Sequence, residues 1–249
     1  MYTSDLLVAG GYSGVLTLGD NMQSDPSPTG FATVYGPTWG RVRSITHPEA
    51  GNHDYGYSGA SGYYGYFGSA AGDPSQGYYS FDVGSWHVLA INSNCTEITG
   101  GCAAGGAQEQ WVRADLAANA GKQCTLAFFH HPRYSSGYDG DNTTMSPIFE
   151  DLYNAEADVV LSGHSHDYER FAPQDDASNL DTARGITQFV VGTGGAFFTG
   201  FSTIKPNSQV RQNTTFGVLQ LTLHSTSFDW HFQPEAGKTW TDTGTRACH

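Results

Sequence analysis

The sequence is poor in charged residues, and most of those it has are acidic. Charged residues make up 14% of the 249 positions, and 11 basic residues face 24 acidic ones, which gives a net charge of −13. So little positive charge excludes general binding to nucleic acids and to anionic membranes. We therefore expect no nucleic-acid or membrane partner, and a bound cation wherever an anionic substrate is held.

Long apolar runs are also missing. No segment approaches the length of about 18 residues that a membrane span needs, and no signal peptide precedes the first motif. Glycine and proline are frequent, with 32 and 10 residues, but they stay below the level of about 25–30% that indicates disorder. The sequence predicts one folded domain over residues 1–249.

Cysteine is scarce, with four residues at positions 95, 102, 124 and 248. None forms a Cys-x-x-Cys pair, so zinc-ribbon and thioredoxin-like sites are excluded. Cys95 and Cys102 bracket a short loop, whereas Cys124 opens an apolar run and Cys248 is the penultimate residue. We expect disulfides Cys95–Cys102 and Cys124–Cys248 in an exported protein, and four small buried thiols are the alternative.

Apolar runs typical of strands alternate with helical patterns early in the chain and follow one another late. Residues 4–11, 107–121 and 146–157 predict helices, and residues 14–20 predict a buried strand. Residues 55–77, rich in Gly, Tyr and Ser, are expected to form a long ordered loop. This order favours an α/β fold with two packed sheets.

Several of the apolar runs end in side chains that can bind a metal. These side chains are Asp20, Asn52, His53, Asp54, His130, His131, His164 and His166. Because ligands of open α/β sheets gather beyond the carboxyl ends of the strands, such residues can converge on one site. Carboxylate, amide oxygen and imidazole together suit Zn, Mn or Fe(II).

The same blocks, in the same order, resemble those of the calcineurin-like metallophosphoesterases, on the branch with the purple acid phosphatases. Gly19-Asp20 is similar to the family's GD block, and residues 51–54 (GNHD) to its GNHD/E block. His130 is similar to the family's lone strand-end His, and residues 163–166 (GHSH) to its GHxH block. Residues 167–170 resemble the purple acid phosphatase form of that block. The resemblance implies an αββα sandwich of two mixed β-sheets flanked by helices.

The resemblance also implies a set of metal ligands. Asp20 would bridge two divalent metal ions (Zn, Mn or Fe). Asn52, His130 and His164 would complete the shell of one metal. His166 would bind the other metal.

For several other polar and aromatic residues, two alternative roles remain open. By the resemblance, His53 would be catalytic and would stabilise or protonate oxygens of the substrate, or it would only order its turn with Asp54. His131 would contact the phosphate or be a polar strand end. The rings of residues 63–67 would wall the substrate cleft or pack together. We expect structural roles for three strand histidines, His87, His224 and His231.

Two departures from the family pattern bear on activity. The family's first block, a D-x-H or GD at the end of its first strand, would precede the helix of residues 4–11, and nothing in residues 1–19 replaces it. Gln23 stands where purple acid phosphatases have the Tyr that binds ferric iron, so no purple absorption band is expected. The resemblance thus implies an N-terminally truncated member with an incomplete second metal site.

We expect metal-dependent hydrolysis of small-molecule phosphate esters, foremost phosphomonoesters, by hydroxide bound to the metals. No covalent enzyme intermediate is needed, and no organic cofactor is expected. The alternative is a catalytically impaired relative that binds metal or phosphate, because the first block is missing. The expected location is secreted or periplasmic, with the signal peptide lost together with the first strand.

Overall fold

A computed structural model describes residues 3–249, and its helices and strands follow the predicted order. The helices are α1 (Thr3–Ala9), α2 (Pro28–Gly30), α3 (Ser61–Phe67), α4 (Ala107–Ala118) and α5 (Ser146–Asn154). The strands are β1 (Val15–Leu18), β2 (Thr46–Glu49), β3 (Tyr79–Val83), β4 (Trp86–Ala90), β5 (Cys124–Phe128), β6 (Val159–Ser162), β7 (Tyr168–Phe171), β8 (Thr187–Val191), β9 (Ser208–Gln212), β10 (Gly217–Leu223), β11 (Ser227–Pro234) and β12 (Thr243–Ala247). None of the helices within the described range is long and apolar enough to cross a bilayer.

The larger sheet has seven strands in the order β3-β4-β5-β6-β8-β7-β9. Its centre is parallel, since β4 pairs with β5, β5 with β6 and β6 with β8. The outer strands β3, β7 and β9 pair antiparallel. The sequence WHVLA of β4 is buried at every position, as a strand covered on both faces requires.

The second layer of strands is divided into two pieces. β1 and β2 form a parallel pair, and β10, β11 and β12 form an antiparallel sheet. Within residues 3–249 no strand joins the two pieces. The predicted second mixed sheet is therefore present as a parallel pair beside a separate antiparallel sheet.

Apolar cores on the two faces of the larger sheet define the layers. On one face, Phe149 of α5 packs in a cluster with Phe129. On the other face, Phe128 of β5 packs in a cluster with Phe228 of β11. α1 covers the outer side of the second layer through Leu7, which joins a cluster with residues of β1 and β10. This order of layers confirms the predicted αββα sandwich.

Residues 55–71 are largely helical, so the predicted long loop is wrong over most of residues 55–77. They contain α3 and flanking 3-10 turns. The rings of Tyr63 and Phe67 pack with Phe31 and Tyr35 in a buried cluster. Tertiary packing of aromatic side chains stabilises a helix that the Gly-rich composition disfavours, and the rings pack together rather than wall a cleft.

Both predicted disulfides are confirmed. Cys95–Cys102 closes a loop with a sequence separation of 7, and Cys124–Cys248 one with a separation of 124. The second bond joins the start of β5 to the residue after β12, and therefore fastens the second layer to the larger sheet.

Candidate metal centre

Four potential metal ligands meet where strands of both layers end. β1 leads into Asp20, β2 into Asn52, β5 into His130 and β6 into His164. β5 and β6 are parallel neighbours, as are β1 and β2, so the carboxyl ends of each pair lie on one edge. The structure thus brings together four of the five predicted metal ligands.

The donor atoms of these residues converge on one ring nitrogen. His130 Nε2 lies 3.3 Å from Asp20 Oδ2, 3.0 Å from Asn52 Oδ1 and 3.2 Å from His164 Nδ1. An imidazole nitrogen carries at most one proton, so it can satisfy only one of the three neighbours. A shared cation would satisfy all of them, and this donor set fits Zn, Mn or Fe(II).

The other ring nitrogen of His130 fixes the orientation of the imidazole. Nδ1 lies 2.7 Å from the carbonyl oxygen of Leu18, and the side chain is almost fully buried. Histidines that bind metals commonly donate their second N–H to a carbonyl or carboxylate in this way, which sets the tautomer. The contact leaves Nε2 free to face the carboxylate of Asp20.

Asp20 and His130 stabilise each other's charged forms. Burial alone would raise the pKa of Asp20, but the charge and hydrogen bond of His130, with help from His53, lower it. Burial alone would lower the pKa of His130, but the Asp20 carboxylate raises it. The backbone N–H of His53 donates to Asp20 Oδ1 at 2.9 Å, which holds the carboxylate in place.

The backbone at the centre is strained and closely packed. Asp20 has φ 48° and His164 has φ 63°, in the left-handed region that costs a side-chain-bearing residue about 1–3 kcal/mol. Gly51 lies so close to Asp20 that a Cβ there would be 2.1 Å from Oδ1. Local sequence patterns do not reveal either feature, because both depend on segments distant along the chain.

Asp54 links the loops that carry Asp20 and Asn52. It is fully buried, and its Oδ2 accepts hydrogen bonds from the backbone N–H of Gly51 at 2.9 Å and from the backbone and side chain of Asn21. Burial raises its pKa to about 6, and the hydrogen bonds of Gly51 and Asn21 oppose the rise. Asp54 therefore ties the loop after β1 to the loop after β2.

His131 belongs to a cluster of three histidines. Ring nitrogens of His130, His131 and His164 all lie within 4.8 Å of one another, and His131 Nδ1 is 2.9 Å from the Oγ of Ser93. Burial and the charge of His130 lower the pKa of His131 to about 3 and that of His164 to about 4. Both rings are thus neutral and available as ligands at physiological pH. Nothing in the sequence pointed to Ser93.

His53 and His166 stand apart from the converging atoms but line the same cavity. His53 Nε2 is 4.0 Å from Asp20 Oδ2, and its side chain is 44% exposed. His166 Nδ1 is buried without a hydrogen-bond partner among the described residues, and its ring packs against Phe197. Gln23 Nε2 lies 3.3 Å from Asp20 Oδ2, so an amide stands where the resemblance implied a tyrosine.

Comparisons with known proteins identify the family of the chain. The family model for calcineurin-like phosphoesterases matches residues 5–168, which is more than half of the chain. Purple acid phosphatase 22 from Arabidopsis thaliana is 38% identical over 99 residues, covering 38% of this chain and 22% of that protein. The match therefore spans less than a quarter of this curated relative.

Solved structures share the fold at low sequence identity. Purple acid phosphatase PPD1 from yellow lupin (Lupinus luteus) seeds has a TM-score of 0.84 at 17% identity, covering 98% of this chain and 48% of that one. GAP50, the anchor in the inner membrane complex of Plasmodium, has a TM-score of 0.70 at 14% identity, covering 99% of this chain and 82% of that one. The solved structures show a shared fold, and the family model, which matches more than half of the chain, shows that the chain belongs to the calcineurin-like phosphoesterase family.

Proposed function

We propose that this protein hydrolyses phosphate esters of small molecules, foremost phosphomonoesters, with a divalent metal held by Asp20, Asn52, His130 and His164. The observation that carries the proposal is the convergence of carboxylate, amide and imidazole atoms on His130 Nε2. Membership of the phosphoesterase family supports the reaction class.

The metal ions and the protein residues would have separate roles in the reaction. When bound, Zn, Mn or Fe would make a nucleophile from water near neutral pH and neutralise charge on the phosphoryl group. Leu18 and Asp20 hold the ring of His130 from both nitrogens. Ser93 similarly orients His131 at the edge of the cluster, where it can donate to a phosphoryl oxygen.

His53 is the residue that we propose as the acid for the leaving group. Its backbone N–H is bonded to Asp20, so the ring is held near the centre while its side chain stays open to the cavity. A histidine at such a position can deliver a proton to the departing alkoxide oxygen. Because water supplies the attacking oxygen, the reaction needs no covalent bond between enzyme and phosphate.

A second candidate function is binding of metal or phosphate without turnover. Within residues 3–249, His166 joins no cluster of three metal-binding side chains. The described residues therefore provide few ligands for a second metal ion. A fold alone does not fix an activity, and GAP50 carries this fold as an anchor.

Steady-state phosphatase assays separate the two candidates. The chain is assayed against a panel of phosphomonoesters after loading with Zn²⁺, Mn²⁺ or Fe²⁺, beside His164→Ala and the control variant His224→Ala, whose ring is exposed and pairs with Asp229. We expect metal-dependent turnover that His164→Ala abolishes and His224→Ala retains. Metal binding with no turnover of any ester would refute the hydrolase and support the second candidate.

We also propose that the protein works outside the reducing cytosol, in a secreted or periplasmic location. Its four cysteines form two disulfides, which persist in oxidising compartments. Thiol labelling of the protein in its native cellular fraction tests this, and free thiols there would refute export.

A further inference from the structure

The loop after β4 contacts both layers at the metal centre, although it carries none of the blocks that resemble the family. Residues 92–94 (Asn-Ser-Asn) follow the end of β4, the parallel neighbour of β5, after one intervening residue. We call these three residues the β4 loop. Each of them is at most 5% exposed. Buried polar side chains have specific hydrogen-bond partners, and those of the β4 loop belong to the centre.

Asn94 holds the backbone of the segment that contains the GNHD block. Its Nδ2 donates to the carbonyl oxygen of Ala50 at 2.8 Å. Ala50 is buried and lies two residues before Asn52. The side-chain amide of Asn94 therefore joins the β4 loop to the loop after β2, although 44 positions separate the two bonded residues.

The position of Asn52 depends on its backbone. Asn52 is exposed, so packing of its side chain does not fix it. Its Oδ1 nevertheless lies 3.0 Å from His130 Nε2. Two bonds hold the backbone before it, one from the N–H of Gly51 to Asp54 and one from Asn94 to the preceding carbonyl. The bond from Asn94 thus helps to set where the amide oxygen of Asn52 lies.

Asn94 is itself held firmly. Oδ1 of Asn92 accepts from the backbone N–H and from Nδ2 of Asn94, both at 2.9 Å. Gln108 of α4 binds the backbone of Asn92 on both sides, because Oε1 accepts from its N–H at 2.8 Å and Nε2 donates to its carbonyl at 2.9 Å. The Cys95–Cys102 disulfide begins at the next residue. A side chain fixed by such bonds can orient a second residue precisely.

The β4 loop also reaches the histidine cluster. Ser93 Oγ accepts from the backbone N–H of His131 at 2.8 Å and lies 2.9 Å from its Nδ1. The adjacent residues Ser93 and Asn94 therefore bind the loops after β5 and β2, one from each layer. The β4 loop is a common support for the two loops.

We propose that Asn94 is a positioning residue for Asn52, which it orients through the carbonyl oxygen of Ala50. The proposal rests on the metal centre of the proposed function. Groups that orient metal ligands typically contribute about 10–100-fold to metal affinity. Asn94 contributes in this way without touching the metal.

Zn²⁺ binding to the metal-free protein tests this role, by titration against a chelator of known affinity. Asn94→Leu, which removes both donors at similar volume, should weaken binding by about 10–100-fold. Asn94→Ser, too short to reach Ala50, should do the same and serves if the first variant does not fold. The matched control is Gln174→Leu, which should bind Zn²⁺ normally. Gln174 is buried, accepts from Asn207 and follows the end of β7 that is remote from His166.

A double-mutant cycle with Asn52→Ala separates positioning from a general loss of stability. If Asn94 acts through Asn52, Asn94→Leu should leave the Zn²⁺ affinity of Asn52→Ala unchanged. The full weakening in that background would overturn the proposal. Normal Zn²⁺ binding by the Asn94 variants, or equal weakening by Gln174→Leu, would overturn it as well.

These outcomes are distinct from failure of the proposed function. If the unaltered protein binds no Zn²⁺, both proposals are overturned. If it binds Zn²⁺ firmly and only the expected effect of Asn94 is missing, the proposed hydrolysis stands and the positioning role alone is refuted.

Discussion

Nδ1 of His130 lies 2.7 Å from the carbonyl oxygen of Leu18, although 112 positions separate the two residues. The contact joins the end of β1 in the second layer to the residues after β5 in the larger sheet. It also fixes which nitrogen of His130 faces Asp20. The packing of the two layers therefore also sets the orientation of His130 in the candidate metal centre.

The first prediction concerns the number of metal ions. We expect the protein to retain one divalent ion firmly after mild dialysis, because Asp20, Asn52, His130 and His164 converge whereas His166 stands apart. Elemental analysis of the dialysed protein measures the ratio. Two full equivalents retained per chain would show that residues outside our proposed set complete a second site.

The second prediction separates the role of His53 from that of a ligand. His53→Ala should lower turnover by about 10²–10⁴-fold, the usual contribution of general acid–base catalysis, with little change in metal content. His164→Ala should lose metal and turnover together. Metal analysis and kcat are measured on both variants, with His224→Ala as the exposed control. Indistinguishable variants would show that our assignment for His53 is wrong.

The third prediction compares the two disulfides. In the loop-closure model, removing Cys124–Cys248 should lower the free energy of unfolding by about 5 kcal/mol, and removing Cys95–Cys102 by about 2 kcal/mol, because the first closes the much longer loop. Paired Cys→Ser variants are compared by denaturant titration. Equal losses, or a larger loss for the short loop, would contradict this ranking.

The fourth prediction concerns His87, which is buried between two carboxylates. Its Nε2 lies 2.6 Å from Asp115 Oδ2 and its Nδ1 lies 3.0 Å from Asp82 Oδ1. Burial alone would lower the pKa of His87, but the hydrogen bonds to Asp115 and Asp82 outweigh it and raise the pKa. The imidazolium therefore stabilises the fold fully below the unfolded-state pKa of about 6.5 and progressively less as pH rises through the raised folded-state value.

His87→Gln should accordingly destabilise the protein by about 2 kcal/mol at pH 6, a value typical of hydrogen bonds to charged groups, and by less at pH 9. Chemical denaturation at the two pH values measures the difference. A loss that grows with pH would mean that His87 is neutral in the folded protein. This location away from the metal centre agrees with the structural role predicted from the sequence.

The fifth prediction concerns a version of the chain extended upstream by a strand ending in Gly-Asp or Asp-x-His. It should be more stable and much more active than the 249-residue chain, because the new strand would pair with β1 and β10 and add a carboxylate. Thermal midpoints and phosphatase rates of the two proteins are compared. Equal stability and equal rates would mean that the present chain already completes the site.

The strand pattern predicted an α/β fold with two packed sheets and the meeting of Asp20, Asn52, His130 and His164, because strand-like runs that end in polar residues place those residues at strand ends. The αββα layers were implied by the family resemblance. The metal-binding roles of these residues stay predictions. Local patterns are informative here because each strand is short and is followed within three residues by the polar side chain.

Other features depend on contacts between distant segments and left no local signal. The left-handed backbone at Asp20 and His164, and the bond from His131 to Ser93, follow from tertiary packing. α3 forms in Gly- and Tyr-rich sequence because its rings join the cluster with Phe31. Composition alone indicated a loop there, since it reports local propensity and not the neighbours that a segment meets.

The close approach of Gly51 to Asp20 gives the glycine of the GNHD block a steric role. A single methyl group at position 51 would occupy the space of the carboxylate, with a Cβ 2.1 Å from Oδ1, while every donor atom of the centre remained in the sequence. Gly51→Ala would therefore displace Asp20 by steric clash. This variant would serve as a reference protein that keeps every proposed ligand in its sequence but loses the geometry of the candidate metal centre.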